Sequence, residues 1–218
     1  WHEAVIYELH VGAFTPAGSF VAAIERLGDL VELGITAIEL MPIAAFAGRR
    51  NWGYDGVLPF APDASYGTPD ELKHLVAAAH GRGLMVLLDV VYNHVGPEGS
   101  PLHRIARPFF RQDLPGPWGA AIDFDGSCSR MVRDFFIHNA LYWLDEFRFD
   151  GLRIDAVHAM QDTSTPHIVD EIAMAVRAGP GQSRHVHLVL ENERNDARHL
   201  RRHCDGQPAL ADARWNDA

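Results

Sequence analysis

The residues of this chain best equipped for chemistry gather at the ends of apolar runs. One almost continuously apolar run carries Asp89 and closes with Asn93 and His94. Another carries Arg153, Asp155 and His158, and a third ends in Glu191, Asn192 and Glu193. A fourth ends near Glu39 and leads into a loop holding Trp52, Tyr54 and Asp55. Each run has the length and composition of a strand. A lone strand-end carboxylate is more often structural than catalytic. Four runs delivering ionisable groups to one rim point instead to a site.

Arg153 and Asp155 lie two residues apart, so on a strand their side chains share a face. A cation within ~4–6 Å keeps a carboxylate ionised, which suits a nucleophile or an electrostatic stabiliser. As a plain buried ion pair the two would stabilise little, because desolvation offsets the attraction. Hydrolysis of a glycosidic bond needs two carboxylates in different states, one ionised to attack and one protonated to donate. Asp155 fits the first role. Glu191 fits the second, because it ends the apolar stretch "HLVLE" and an apolar setting raises a carboxyl pKa; Glu193 competes for that role. Trp52 and Tyr54 offer flat faces to a sugar ring, against the ordinary reading as packing. His94 and His158 could hydrogen-bond hydroxyls. No His/Asp/Glu group has metal-ligand spacing, so neither a metal nor another cofactor is expected.

The elements that must hold these residues alternate between strand and helix. Strands are expected at 4–12, 35–42, 84–94, 150–156, 185–191 and 210–217. Helices are expected at 19–34, 68–83, 129–147, about 166–178 and about 195–203. Ser19 and Thr68 serve as N-caps, Pro69 and Glu71 strengthen the second start, and Gly34 is a stop. Strands apolar on both faces imply a parallel sheet covered on both sides, built from right-handed strand–helix–strand units. A doubly wound sheet and a (β/α)8 TIM-type barrel both satisfy this. No glycine-rich phosphate fingerprint follows the first strand, which favours the barrel, with roughly the first five to six βα units present. Residues 1–218 then form the N-terminal part of one catalytic barrel, and the Pro-, Gly- and Phe-rich residues 95–128 form a lid-like insertion.

The bulk numbers limit the partners. A net charge of −10 argues against nucleic acid and anionic membranes. No apolar run approaches the ~20 residues that span a bilayer. Cys128 and Cys204 are too few for a disulfide framework and read as free thiols. The expected compartment is therefore reducing, and the expected localisation cytoplasmic.

Three stretches carry a resemblance: "DVVYNH" (89–94), "GLRIDAVH" (151–158) and "LVLENE" (188–193). In this order and on these strands they resemble the signatures of the alpha-amylase family of retaining glycoside hydrolases. Longer stretches, among them "IELMPIAAFAGRRNWGYDGVLPFAP" (38–62), "LDVVYNHVGPEG" (88–99) and "HVHLVLENERNDA" (185–197), are similar to its trehalose-releasing branch. The resemblance covers nearly the whole chain. It implies a malto-oligosaccharide substrate with a trehalose end, cut at the adjacent α-1,4 bond. Asp155 is the implied nucleophile and Glu191 the acid/base. Arg153, Asp89 and His94 are implied to surround the sugar, with Tyr54 stacking on it. In calcium-dependent members the residue matching Asn93 helps hold the ion; no partner ligands are evident here, so calcium is not expected. The family's third carboxylate, from a His-Asp pattern near the seventh strand, has no counterpart in the 218 residues. The chain is therefore expected to be part of a larger enzyme, inactive alone and prone to self-association through open sheet edges. A 1,4-α-glucan branching enzyme and a non-catalytic binding relative are the competing readings.

Overall fold

A computed structural model describes residues 1–116, 118–194 and 197–216. Strands β1 (Ile6–Leu9), β2 (Ala37–Leu40), β3 (Met85–Val90), β4 (Gly151–Ile154), β5 (His187–Glu191) and β6 (Ala213–Trp215) form one sheet in sequential order. Every neighbouring pair is parallel. Helices α1 (Phe20–Glu32), α2 (Pro69–His80), α3 (Ser129–Glu146) and α4 (Ile168–Ala178) make the crossovers. Sequential parallel order with a helix in each of the first four crossovers, and a 3-10 turn in the fifth, is the winding of a (β/α) barrel, here seen over six strands.

Local chemistry sets the helix ends. The Ser19 hydroxyl accepts a bond from the Ala22 amide, and Thr68 and Glu71 form a complete capping box with Pro69 beside it. Gly34 adopts φ +89 where α1 stops, a conformation that suits glycine. The face of the sheet bearing Ile38, Leu40, Val86, Leu88, Leu152 and Ile154 is apolar and packs with Phe20, Leu27, Leu72, Phe136, Trp143 and Ile172 of the helices. Glu39, Asp89 and Arg153 alternate with those strand residues and are buried on the other face.

All six strands are shorter than the expected spans, and three of the C-terminal ends show how. β1 stops at Leu9, and Val11–Phe14 make a helical turn. β3 stops at Val90, which leaves Asn93 and His94 in the loop beyond it. β4 stops at Ile154, so Asp155 is the first residue past the strand. In each case sheet pairing ends before the apolar pattern does. The short helix expected at 195–203 is a 3-10 turn at Arg198–Leu200, and residues 195–196 lie outside the described ones. Residues 95–128 contain a short helix at Leu102–Ile105 and an antiparallel pair, Phe110–Gly116 with Gly119–Ile122. Phe109 and Phe124 anchor this segment on Phe135 and Phe136 of α3. The loop after β2 likewise contains an antiparallel pair, Ala44–Phe46 with Gly56–Pro62.

A buried cation ties the irregular segments to the barrel wall. Arg133 of α3 donates to Asp162 (2.7 Å), Glu171 (2.7 Å) and the carbonyls of Phe124 (3.0 Å) and Pro166 (2.8 Å). Burial would raise the Asp162 and Glu171 carboxyls, yet hydrogen bonds, Arg133's among them, hold both below their ordinary range. A depressed folded pKa contributes stability above the unfolded value, and that contribution is lost as pH falls through the folded one. Arg133→Met is therefore expected to destabilise by about 3 kcal/mol near neutrality. The variant should also show a weaker acid dependence than the parent below about pH 4. Chemical denaturation of both proteins across that range checks this; parallel pH curves would contradict it.

Candidate active site

The C-terminal ends of β3, β4 and β5 converge on one buried guanidinium. Arg153, the third residue of β4, is 4% exposed. Its Nη1 donates to Asp89 Oδ2 and to Asp155 Oδ1, each at 2.8 Å. Its Nη2 stands 3.5 Å from Glu191 Oε2. Register explains the meeting: Asp89 pairs with Arg153 across β3 and β4, and Ile154 pairs with Leu190 across β4 and β5. Asp155 and Glu191 thus leave neighbouring strands at one level. Burial works against the cation, but Asp89 and Asp155 outweigh it and hold Arg153 above its ordinary pKa. The guanidinium is charged under all ordinary conditions.

The two carboxylates are held differently. Asp155 has both oxygens occupied: Oδ1 by Arg153, Oδ2 by the side-chain amide of Asn93 at 2.9 Å. That amide also reaches the Asp155 carbonyl at 3.2 Å. Glu191 is held by backbone, accepting the Ala156 amide at 2.5 Å. Ala156 adopts φ 42, ψ 50, a left-handed conformation uncommon for alanine. That turn, directly after Asp155, aims the amide at Glu191 and stores local strain beside the site. The apolar setting expected for Glu191 is not what the structure shows. The stretch before it is buried, but its carboxyl, at the last residue of the strand, lies between an amide and a guanidinium.

Asp89 sits deepest, at 1% exposure. Burial pushes its carboxyl up and Arg153 pulls it back. Tyr54 donates its hydroxyl to Asp89 at 3.2 Å, and burial followed by the Asp89 charge raises the phenol so that it stays protonated. Both nitrogens of His94 are engaged, Nδ1 with Asn93 Oδ1 and Nε2 with the Tyr54 carbonyl at 2.8 Å. His94 therefore braces the site and leaves no idle nitrogen for a hydroxyl, contrary to the simplest expectation. His158 lies 3.8 Å from Glu193, which is 68% exposed on its side chain.

These groups line a cleft of about 400 Å³ that includes Trp52, Tyr54, His94, Trp118, Arg153, Asp155, His158, Glu191 and Glu193. Trp52 is exposed and stands edge-on to Tyr54, ring centroids 5.5 Å apart. Trp52, Tyr54, Asp89, His94, Arg153, Asp155, His158 and Glu191 are thus in or under one cleft. Three contributors were missed in these roles. Asn93 was noted only as a strand-end group and potential metal ligand; here its amide orients Asp155. Ala156 carried no signal, since backbone conformation is invisible in the residue name. Trp118, whose ring lies 5.6 Å from His94, belongs to the lid-like segment, where many aromatics compete for attention.

The chain is similar to known proteins along nearly its whole length. The family profile of the alpha-amylase catalytic domain matches residues 12–113. The malto-oligosyltrehalose trehalohydrolase of Mycobacterium tuberculosis is 48% identical over 215 residues, which is 98% of this chain and 37% of that protein. A solved structure of a candidate alpha amylase from Salmonella typhimurium superposes with a TM-score of 0.95 at 48% identity, covering 100% of this chain and 36% of the other. A 1,4-alpha-glucan branching enzyme from Leifsonia xyli is less similar, 40% identical over 164 residues, covering 71% of this chain and 22% of that protein. The chain thus spans little more than a third of the length of its nearer relatives. With a catalytic-domain match, relatives of this identity and a superposing half-barrel, the chain belongs to the alpha-amylase family of glycoside hydrolases.

Proposed function

We propose that this chain supplies the nucleophile and the acid/base of a retaining α-glycosidase that cuts malto-oligosyltrehalose at the α-1,4 bond next to its trehalose end, releasing trehalose. The observation that carries the reading is the single guanidinium of Arg153 holding Asp89, Asp155 and Glu191 in one cleft. The choice of substrate rests on the name of the similar trehalohydrolase.

Asp155, fixed through both oxygens, attacks the anomeric carbon and forms a covalent glycosyl ester. Glu191 in its protonated form gives its proton to the departing trehalose oxygen. The resulting Glu191 carboxylate then takes a proton from water, the hydroxide attacks the ester, and the anomeric configuration is retained. Tyr54 and Trp52 offer faces to the sugar rings. Asp89, His94 and Arg153 fix the floor beneath them, and His158 lines the side near Glu193. Residues 95–128 act as a lid, supported by the position of Trp118 in the cleft lining. Turnover further requires a closed barrel and a third carboxylate from a later strand. A cytoplasmic location accords with two free, exposed cysteines.

The test assays the full-length protein with malto-oligosyltrehalose and, separately, with amylose. Free trehalose is expected, and Asp155→Ala should abolish it. New branch points without trehalose would replace this reading with a branching enzyme. Sugar binding with neither product would leave a non-catalytic relative.

A further inference from the structure

A second cluster of chemically competent side chains lies at the opposite end of the sheet. His185 immediately precedes the buried Val186 ahead of β5, His187 is the first residue of β5, and Asp212 directly precedes β6. These are N-terminal strand ends, whereas the cleft is built at C-terminal ends. In a barrel the N-terminal face serves stability rather than turnover.

The three side chains are arranged around one oxygen. Asp212 is buried, and its Oδ2 accepts from Arg177 at 2.7 Å and from the Leu188 amide at 2.8 Å. Its Oδ1 faces the histidines, 2.8 Å from His185 Nε2 and 3.8 Å from His187 Nδ1. The second distance is too long for a hydrogen bond. His187 Nδ1 is buried with no hydrogen-bond partner among the described residues. Its ring is nonetheless fixed, stacked on Trp1 at 4.7 Å and packed against His185 at 4.4 Å. A simple ion pair uses His185 and leaves His187 Nδ1 idle in a buried place, which is costly.

We propose that His185 Nε2, His187 Nδ1 and Asp212 Oδ1 form a binding site for one divalent transition-metal ion of the zinc type. The three atoms lie within 4.8 Å of one another. Ligands bound to zinc at ~2.0–2.2 Å stand roughly 3–3.5 Å apart, so small side-chain movements close the site. His185, 45% exposed on its side chain, is free to make most of that movement. Arg177 and the Leu188 amide fix the far oxygen of Asp212, the kind of outer support that orients a metal-bound carboxylate. An adjoining cavity of about 290 Å³ leaves room for water in the remaining coordination positions. Arg202 borders that cavity, but its guanidinium is engaged with the Asp212 carbonyl at 2.8 Å. Two imidazoles and one carboxylate favour zinc, nickel, cobalt or copper over magnesium or calcium. Bound there, the ion clips β5 to β6 at the end remote from the cleft.

Calorimetric titration of the chelator-stripped full-length protein with zinc chloride tests the site, alongside thermal unfolding with and without zinc. One ion per chain is expected, with a raised Tm. His185→Ala should weaken binding by at least about tenfold and remove the Tm shift. His138→Ala, on the exposed side of α3, should change neither. His187→Ala repeats the test at the buried ligand, and the exposed His185 keeps the test decisive if that variant fails to fold. No uptake, or uptake that His185→Ala leaves unchanged, would overturn the proposal.

Discussion

Replacing Glu191 by glutamine is expected to slow trehalose release by about 10²- to 10⁴-fold, the range lost with a positioned acid/base. Glutamine keeps the size of the side chain, and its amide oxygen can still accept the Ala156 N–H that now holds Glu191 Oε2. The fold should therefore survive. What disappears is the proton for the departing oxygen. The defect should be selective: a glucosyl fluoride, whose leaving group needs no proton, should lose far less in the glycosylation step than malto-oligosyltrehalose does. The limb of the pH profile belonging to the acid should also vanish. Equal losses on both substrates with an unchanged profile would remove Glu191 from the acid role. Glu193 would then be the next carboxylate to test. It enters that contest at a disadvantage, being mostly exposed and 3.8 Å from His158 rather than held by backbone.

Arg153→Met should be the most damaging single change to the cleft, because it acts on stability and on chemistry together. The guanidinium is 4% exposed and bonded to Asp89, whose side chain is wholly buried, and to Asp155. Removing one partner of a buried ion pair costs about 3–5 kcal/mol, since the other charge is left without compensation. Activity should be lost as well, because Asp155 loses one of its two orienting bonds. Arg153→Lys should not rescue, as one ammonium cannot reproduce the planar guanidinium whose Nη1 holds Asp89 and Asp155 while Nη2 faces Glu191. Adding Asp89→Asn to Arg153→Met should return part of the lost stability by removing the stranded charge, a non-additivity that a double-mutant cycle reads directly. Urea unfolding of the four proteins checks the claim. A loss below about 1 kcal/mol for Arg153→Met would mean that water reaches the cluster and that Asp89 is not stranded.

Much of this was readable in the chain. Alternation of apolar runs with helical patterns identifies a parallel sheet with helical crossovers, because strand and helix periodicities are local. The capping box at Thr68 and Glu71 and the stop at Gly34 are equally local, and both stand as expected. The pairing of Arg153 with Asp155 follows from a two-residue spacing near a strand end, although β4 itself ends one residue before Asp155.

The sequence by itself thus determined the order of the elements, the six-strand parallel winding and the group of residues that would meet at one rim. Only the tertiary structure decided how they meet. Asn93 reaches Asp155 across 62 residues because β3 and β4 pair in one particular register. Glu191 is held by the amide of Ala156, whose backbone is left-handed. His185, His187 and Asp212 come together because β5 and β6 start side by side. Spacing along a chain specifies which face a side chain occupies, whereas contact between elements depends on sheet register, on where pairing ends and on the backbone of the loops beyond. Those are settled by the packing of the whole sheet against its helices, which no single stretch encodes.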